Sequence, residues 1–344
     1  MTSHKLLIWM YAPGYPLWSM PDSSIEQVRE ALPPEWQLHT IRVPLEARGD
    51  GVRELPPELL DEIADAEVYM GFGLSREAFL AARKLRWVHS GAAGVGGSLF
   101  RELLESDVIL TNSAGIHASP LAEYAIGAMV YFARGFDIAA AAKAEGVWSH
   151  ARLAGTGMTL TELGGATVGI LGLGGIGEAV AHRAAAMGMR VIALRRTAAP
   201  GPDWVDRLLG PDQLHELLRE SDYVVVALPE TAATRDLIGA AELKAMRRGS
   251  VLINLSRGKI VTEPFLIESL RGGHLRGAAL DVFATEPLPT SSPLWELENV
   301  LITPHTGAVT DRFWDRETAL MVTNIRHYVA EEPLVNRVEK AEGY

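Results

Sequence analysis

The stretch TVGILGLGGIGEAV, residues 167–180, decides the fold. A short apolar run, TVGIL, leads straight into Gly172, Gly174 and Gly177 in G-x-G-x-x-G spacing, and a helical pattern continues through EAVAHRAAAMG. Glycines at these points permit a tight turn and close backbone approach. The helix that follows offers unsatisfied N–H groups and the positive end of its dipole to a pyrophosphate, with Gly175 and Ile176 completing the turn. Alone, such a motif also suits ordinary packing; set between a strand and a helix, it predicts a dinucleotide site.

The next strand sharpens that expectation. VIALRRT, residues 191–197, puts Arg195 about 20 residues beyond the fingerprint, where an acid would hold the ribose 2′-hydroxyl of NAD. An acid there would repel a 2′-phosphate. Arg195 and Arg196 instead offer charge-assisted, often bidentate bonds to phosphate, and the Thr197 hydroxyl adds a donor. The reading is NADP(H) as the preferred cofactor; if the arginines are only solvated strand-end charges, NAD(H) takes its place.

Outward from this unit the chain alternates apolar runs with helical patterns. On the N-terminal side stand KLLIWM, IEQVREAL, LHTIRV, ELLDEIADA, VYMGF, REAFLAARK, LRWVHS and VILTNS, a parallel α/β series. SPLAEYAIGAMVYFARGF, residues 119–136, reads as a buried connecting helix with Ser119 as N-cap and Pro120 at its first position. A second doubly wound series then runs from TVGILG to VLITPH. The final helical pattern, DRFWDRETALMVTNIRHYVAEE, has no strand after it, so it should return to the first domain. The expected architecture is α/β: a flavodoxin-like substrate domain, residues 1–113 and 311–344, with a Rossmann cofactor domain, residues 114–310, inserted into it.

Bulk properties agree with two globular domains: 344 residues with 48% hydrophobic content fill two cores. A formal charge of −11 argues against a nucleic-acid or anionic-membrane surface, so an anionic ligand must be caught by local arginines. With no cysteine there is no disulfide, thiolate nucleophile or Cys-ligated metal, and no metal-ligand spacing such as H-E-x-x-H appears. MTSHKLLIWM has no signal-like apolar core and no apolar run approaches the roughly 20 residues that span a bilayer, which makes the cytoplasm the default location.

Three later strands each end on a charged or titratable residue: INLSRGKIV with Arg257, LDVFATEPLP with Asp281 and Glu286, and LITPHTGA with His305. Carboxyl ends of parallel strands converge on the cofactor crevice, where hydride chemistry would occur. The ordered set GLGGIG, NLSRG, DVFATEPLP and TPHTG resembles the D-isomer-specific 2-hydroxyacid dehydrogenase family, over well more than half the chain. That resemblance implies an oxidoreductase acting on a small 2-oxo or 2-hydroxy acid, of the glyoxylate/hydroxypyruvate reductase type. Arg257 would clamp the substrate carboxylate and carbonyl, His305 would donate the proton, and Glu286 would orient the imidazole and favour its charged form. Asp281 would lie near the nicotinamide end, and Leu228, Pro229, Thr234 and Gly307 are placed with the cofactor as well. His89 and His117 lack an equivalent setting.

GAAGVGG, residues 91–97, matches the family's carboxylate loop, with the N–H groups of Ala93 and Gly94 as donors. Where the family often has an acid after Gly-Val, this chain has Gly96, and Thr262 replaces an Asp found in many relatives. YAPGYPLW, residues 11–18, and Trp314 are pocket candidates for which packing is an equal reading. The family's usual homodimer would use the cofactor domain, with its arm at residues 146–163. Two other readings stand beside the leading one: an NAD-dependent phosphoglycerate dehydrogenase-like enzyme, and a non-enzymatic dinucleotide-sensing protein like the corepressors of this fold. A formate dehydrogenase would pair its His with Gln, against Glu286 here, while a phosphonate-type oxidoreductase shares the Arg, Glu and His. The side chain of the substrate has no signature in the sequence.

Overall fold

The computed structural model describes residues 4–45, 55–155, 160–196 and 201–341, so Thr197 lies outside the described residues. The chain divides into two compact units, Met1–His117 with Val309–Tyr344, and Ala118–Ala308. The division thus falls at 117/118 and 308/309, against the 113/114 and 310/311 read from the sequence.

The first unit is built on five parallel strands: β1 (His4–Trp9), β2 (Trp36–Thr40), β3 (Val68–Gly71), β4 (Trp87–Ser90) and β5 (Ile109–Asn112). Their order is β2-β1-β3-β4-β5, the flavodoxin-like arrangement. Successive side chains of a strand point to opposite faces. Leu7, Trp9, Tyr69 and Val88 therefore fill one core layer, while Leu6, Ile8, Met70 and Trp87 fill the other. The helix Phe313–Val329 belongs to this unit, burying Phe313, Trp314, Met321 and Ile325 in the second layer. Residues 336–338 then run antiparallel to β5 through Asn112 N–H to Asn336 O and Val338 N–H to Leu110 O, covering an edge that would otherwise present unpaired donors.

The second unit carries seven parallel strands: β6 (Thr167–Leu171), β7 (Arg190–Leu194), β8 (Arg207–Leu209), β9 (Tyr223–Val226), β10 (Val251–Asn254), β11 (Gly277–Leu280) and β12 (Val300–Ile302). The order β12-β11-β10-β9-β6-β7-β8 is doubly wound, and its direction of winding reverses between β6 and β9. β6, β9, β10 and β11 are buried at every position, which is why they read as unbroken apolar runs rather than alternating ones. β8 escapes sequence reading because Arg207–Leu209 is three residues long, with an arginine tied to Glu216 and Glu220.

The helix Ala118–Ala133 buries Leu121, Ala122, Ala125, Met129 and Phe132 in this second unit. It begins one residue before Ser119, which corrects the expected cap: the Ser119 hydroxyl lies 3.2 Å from Glu123 Oε1 and accepts from Arg183 at 2.8 Å. Among the described residues no single helix is long and apolar enough to cross a membrane. One bent pair, Ala118–Ala133 with Phe136–Ala144 at 68°, passes on length and composition, and the first of the two is a core helix.

Candidate active site

The glycine turn shows why each glycine is there. At Gly172 φ is +100°, and a Cβ would meet the Ala227 carbonyl at 2.8 Å; at Gly177 a Cβ would meet the Gly172 carbonyl at 2.0 Å. Both positions let the helix Gly175–Ala186 close onto the end of β6. At Gly174 a Cβ would meet nothing within 4 Å, so the backbone is bare toward open space. Gly174 is the residue before the first helical turn, and no side chain caps that end. A tight turn, a bare approach and a close helix–strand contact are what a pyrophosphate cradle requires, so the residues fit a dinucleotide.

Arg195 follows β7 directly, with its N–H on the Leu209 carbonyl at 3.0 Å and its side chain half-buried, while Arg196 is exposed. Leu228 and Pro229 open the loop after β9. There the Thr234 hydroxyl accepts the Thr231 N–H at 2.8 Å and lies 2.6 Å from the Pro229 carbonyl, so Thr234 braces Leu228–Pro229 from within.

Arg257 stands in the turn after β10, half-buried, its Nη1 donating to the Ser256 carbonyl at 2.8 Å. Asn254, at the end of that strand, donates to the Arg257 carbonyl at 3.1 Å and accepts the Ser256 N–H at 3.1 Å, which fixes the turn. Gly258 is indispensable behind it, because a Cβ there would lie 1.9 Å from the Phe283 carbonyl carbon. Glu263 grips the same segment by accepting the Ala284 N–H at 2.6 Å. The Arg257 turn and the segment leading to Glu286 are thus packed as one piece, through two residues that the sequence did not mark.

Glu286 accepts the Phe283 N–H at 2.9 Å on Oε1, and its Oε2 lies 2.8 Å from His305 Nδ1. The hydrogen bond to Glu286 raises the pKa of His305 above the ordinary histidine value, against the opposing effect of burial. Burial pushes the Glu286 carboxyl up, but the His305 bond, the Phe283 N–H and nearby positive charge outweigh it and hold it below the ordinary carboxylate value. Side-chain exposures of 36% and 26% leave the pair open to proton exchange.

His305 has φ +55°, a left-handed conformation unusual for a residue with a side chain. Asp281 over-determines it. The carboxylate accepts from the Thr303 hydroxyl at 2.6 Å and from the N–H groups of Thr306 and Gly307 at 2.9 to 3.0 Å, and the Asp281 carbonyl accepts the His305 N–H at 2.9 Å. The Tyr124 hydroxyl, 3.0 Å from Thr303 Oγ1, extends the network into the helix Ala118–Ala133; burial pushes its pKa up to about 12. Burial also raises Asp281, which is 2% exposed. Both Asp281 and Gly307, expected at the cofactor, are therefore first of all braces of the loop that carries His305.

In the first unit, the Gly91–Gly94 loop follows β4. The Ala93 carbonyl accepts from the Asn112 side chain at 2.8 Å and the Ala92 carbonyl from the Ser113 N–H at 3.4 Å. Across a trans peptide the N–H lies opposite the C=O, so the N–H groups of Ala93 and Gly94 both turn away from Asn112 and Ser113. Two neighbouring donors on one side suit a carboxylate. Trp314 is 9% exposed, packed edge-on against Phe72 and Phe313, with its indole N–H on the Leu17 carbonyl at 3.1 Å. Of the two readings of Trp314, this geometry supports the packing one: Trp314 anchors the residue 11–18 loop, where Tyr15 and Leu17 are exposed. His89 is also other than expected, because it does have a carboxylate partner, Glu317, at 2.9 Å. Among the described residues no group of three His, Asp or Glu could hold a metal ion.

Residues 126–307 match the family model of the NAD-binding domain of D-isomer specific 2-hydroxyacid dehydrogenases. A D-3-phosphoglycerate dehydrogenase of Methanocaldococcus jannaschii is 32% identical over 82% of this chain, which spans about half, 53%, of that relative. A glyoxylate reductase of Korarchaeum cryptofilum is 32% identical over 79% of this chain and 83% of its own. Among solved structures, a D-isomer specific 2-hydroxyacid dehydrogenase from Xanthobacter autotrophicus, in complex with NADPH and MES, superposes with a TM-score of 0.80 at 30% identity. That match covers 99% of this chain and 100% of the other.

Proposed function

The chain belongs to the D-isomer specific 2-hydroxyacid dehydrogenase family, NAD(P)-dependent enzymes acting on CH–OH groups, and from that premise we propose an NADP(H)-preferring reductase of a small 2-oxo acid. The observation that carries this reading is the 2.8 Å His305–Glu286 pair at the same sheet edge as the glycine turn. Along that edge the candidate residues follow strand order: Arg195 after β7, the glycines after β6, Leu228 and Pro229 after β9, Arg257 after β10, Glu286 after β11 and His305 after β12. From β7 to β10 is three strand spacings, about 14 Å, along which a dinucleotide would lie with its 2′-phosphate at Arg195 and its nicotinamide toward and beyond Arg257.

When bound, the nicotinamide supplies the hydride that reaches C2 of the oxo acid. Arg257 holds the substrate carboxylate and polarises the carbonyl. In the first unit, the N–H groups of Ala93 and Gly94 are the donors proposed for a substrate carboxylate. Glu286 fixes Nδ1–H of the imidazolium, which directs Nε2–H at the carbonyl oxygen, and His305 delivers that proton as the alkoxide forms. The first unit is assigned to substrate and the second to cofactor. A homodimer through the second unit is part of the same reading, with Trp148, 93% exposed, on its arm.

The test is loss of nicotinamide absorbance with glyoxylate, hydroxypyruvate, pyruvate and phenylpyruvate, each with NADPH and with NADH. Oxidation with an NADPH preference is the expected result. Binding of NADPH without turnover of any oxo acid would move the reading to the sensor class.

A further inference from the structure

The first unit holds a histidine–carboxylate pair that the proposed reaction does not use. His89 on β4 and Glu317 on the helix Phe313–Val329 are both 0% exposed, with Nε2 2.9 Å from Oε1. Beyond the ring, His89 Nδ1 lies 2.9 Å from Thr111 Oγ1, which receives the Trp87 indole N–H at 2.9 Å. Beyond the carboxyl, Glu317 Oε2 lies 2.8 Å from Ser113 Oγ, and that hydroxyl lies 2.9 Å from the Ser90 carbonyl.

Counting hydrogens gives the chain a direction. The indole can only donate and the Ser90 carbonyl can only accept, whereas each hydroxyl has a single hydrogen. If Ser113 gives its hydrogen to Ser90, the 2.8 Å contact with Glu317 is a bond only when Glu317 supplies one. At the other end, the Thr111 hydrogen has His89 Nδ1 at 2.9 Å or the Val88 carbonyl at 3.5 Å, and the nearer acceptor leaves Nε2–H for Glu317. Filled this way, every link is 2.9 Å or shorter and each side chain between the indole and the carbonyl donates once and accepts once. No charge then sits where burial would strip it of water on every side. An imidazolium facing a carboxylate would instead leave Thr111 with the 3.5 Å link and make Ser90 and Glu317 compete for one hydrogen.

We propose that Trp87, Thr111, His89, Glu317 and Ser113 form a one-way, uncharged hydrogen-bond relay that positions the Gly91–Gly94 loop to receive a substrate carboxylate. The positioning follows from where the relay ends. Ser90 is the residue before the loop, and Ser113 both receives the relay and donates its own N–H to the Ala92 carbonyl. Its neighbour Asn112 holds the Ala93 carbonyl. A shift of Ser113 therefore turns the peptide planes that aim the Ala93 and Gly94 donors. This role rests on the reductase reading; the relay itself does not.

The infrared spectrum tests the relay without any substrate. A protonated-carboxyl C=O stretch should be present in the wild type and absent from Glu317→Gln; its absence from the wild type would overturn the uncharged relay. Glutamine can accept from His89 and donate to Ser113, so Glu317→Gln should keep the KM for the oxo acid within about twofold, whereas Glu317→Ala should not. Equal damage from both would count against the relay. Ser113→Ala, the milder variant, should raise the oxo-acid KM about five- to tenfold at unchanged kcat and unchanged KM for NADPH. An unchanged oxo-acid KM in that variant would remove the positioning role. A wild type that turns over no oxo acid would fail the reductase reading, with the infrared band still deciding the relay.

Discussion

Two of the molecule's histidine–glutamate pairs, His305–Glu286 at 2.8 Å and His89–Glu317 at 2.9 Å, sit in opposite surroundings. The first joins two loops at a sheet edge, with 36% and 26% of its side chains exposed; the second lies inside a core, with neither side chain exposed. What surrounds each pair decides its use. At His305 the bond beyond the pair comes from the Phe283 backbone N–H, which favours the Glu286 carboxylate and hence an imidazolium able to give up a proton. At His89 they come from hydroxyls that carry a chain of neutral hydrogen bonds onward into a loop. On the proposed reading, identical side chains serve proton transfer in one place and alignment in the other.

The sharpest way to break this comparison is to remove each histidine in turn. His305→Asn should lower kcat/KM for the oxo acid by about a thousandfold, with NADPH affinity retained. Turnover near wild type would remove His305 from the chemistry. His89→Asn should instead lower stability by about 1–3 kcal/mol, read as a shift in thermal midpoint, because it leaves buried groups without their partners. A stable His89 variant with kcat reduced as severely as that of His305→Asn would reverse the two assignments. Cofactor choice should be independent of either pair. Arg195→Asp is expected to weaken NADPH about tenfold or more relative to NADH, by losing a charge-assisted phosphate contact and adding repulsion; equal weakening of both cofactors would rule that contact out.

The legibility of these features in the sequence follows their range along the chain. The glycine turn, the buried strands and the ordered Arg257, Glu286 and His305 were readable because each depends on a local pattern: a turn before a helix, an apolar run, a titratable residue at a strand end. His89–Glu317 spans 228 residues and leaves no local trace, since a histidine in a strand and a glutamate in a helix look ordinary separately. Gly258 and Glu263 were equally silent, because what they contact, the Phe283–Ala284 backbone, is brought there only by the pairing of β10 with β11. Asp281 shows only its charge in the sequence; its bracing of the His305 loop is visible once the Thr306 and Gly307 N–H groups converge on it. For Trp314 the sequence leaves pocket and packing equally open, and only its burial against Phe72 and Phe313 favours packing.

In the proposed mechanism an imidazolium held by Glu286 delivers the proton. Because His305 has a raised pKa in the folded chain, the stabilisation from its imidazolium is complete below the ordinary histidine value and is lost as pH rises through the raised one. Glu286, held low, makes its contribution above the ordinary carboxylate value and loses it as pH falls through its depressed one. The most direct measurement is therefore kcat/KM for NADPH-dependent reduction of the best oxo acid across pH, in the wild type and in Glu286→Gln. The wild-type rate should hold through neutrality and fall only above the ordinary histidine pKa, and the variant's alkaline limb should move to lower pH. Superimposable alkaline limbs would contradict the account.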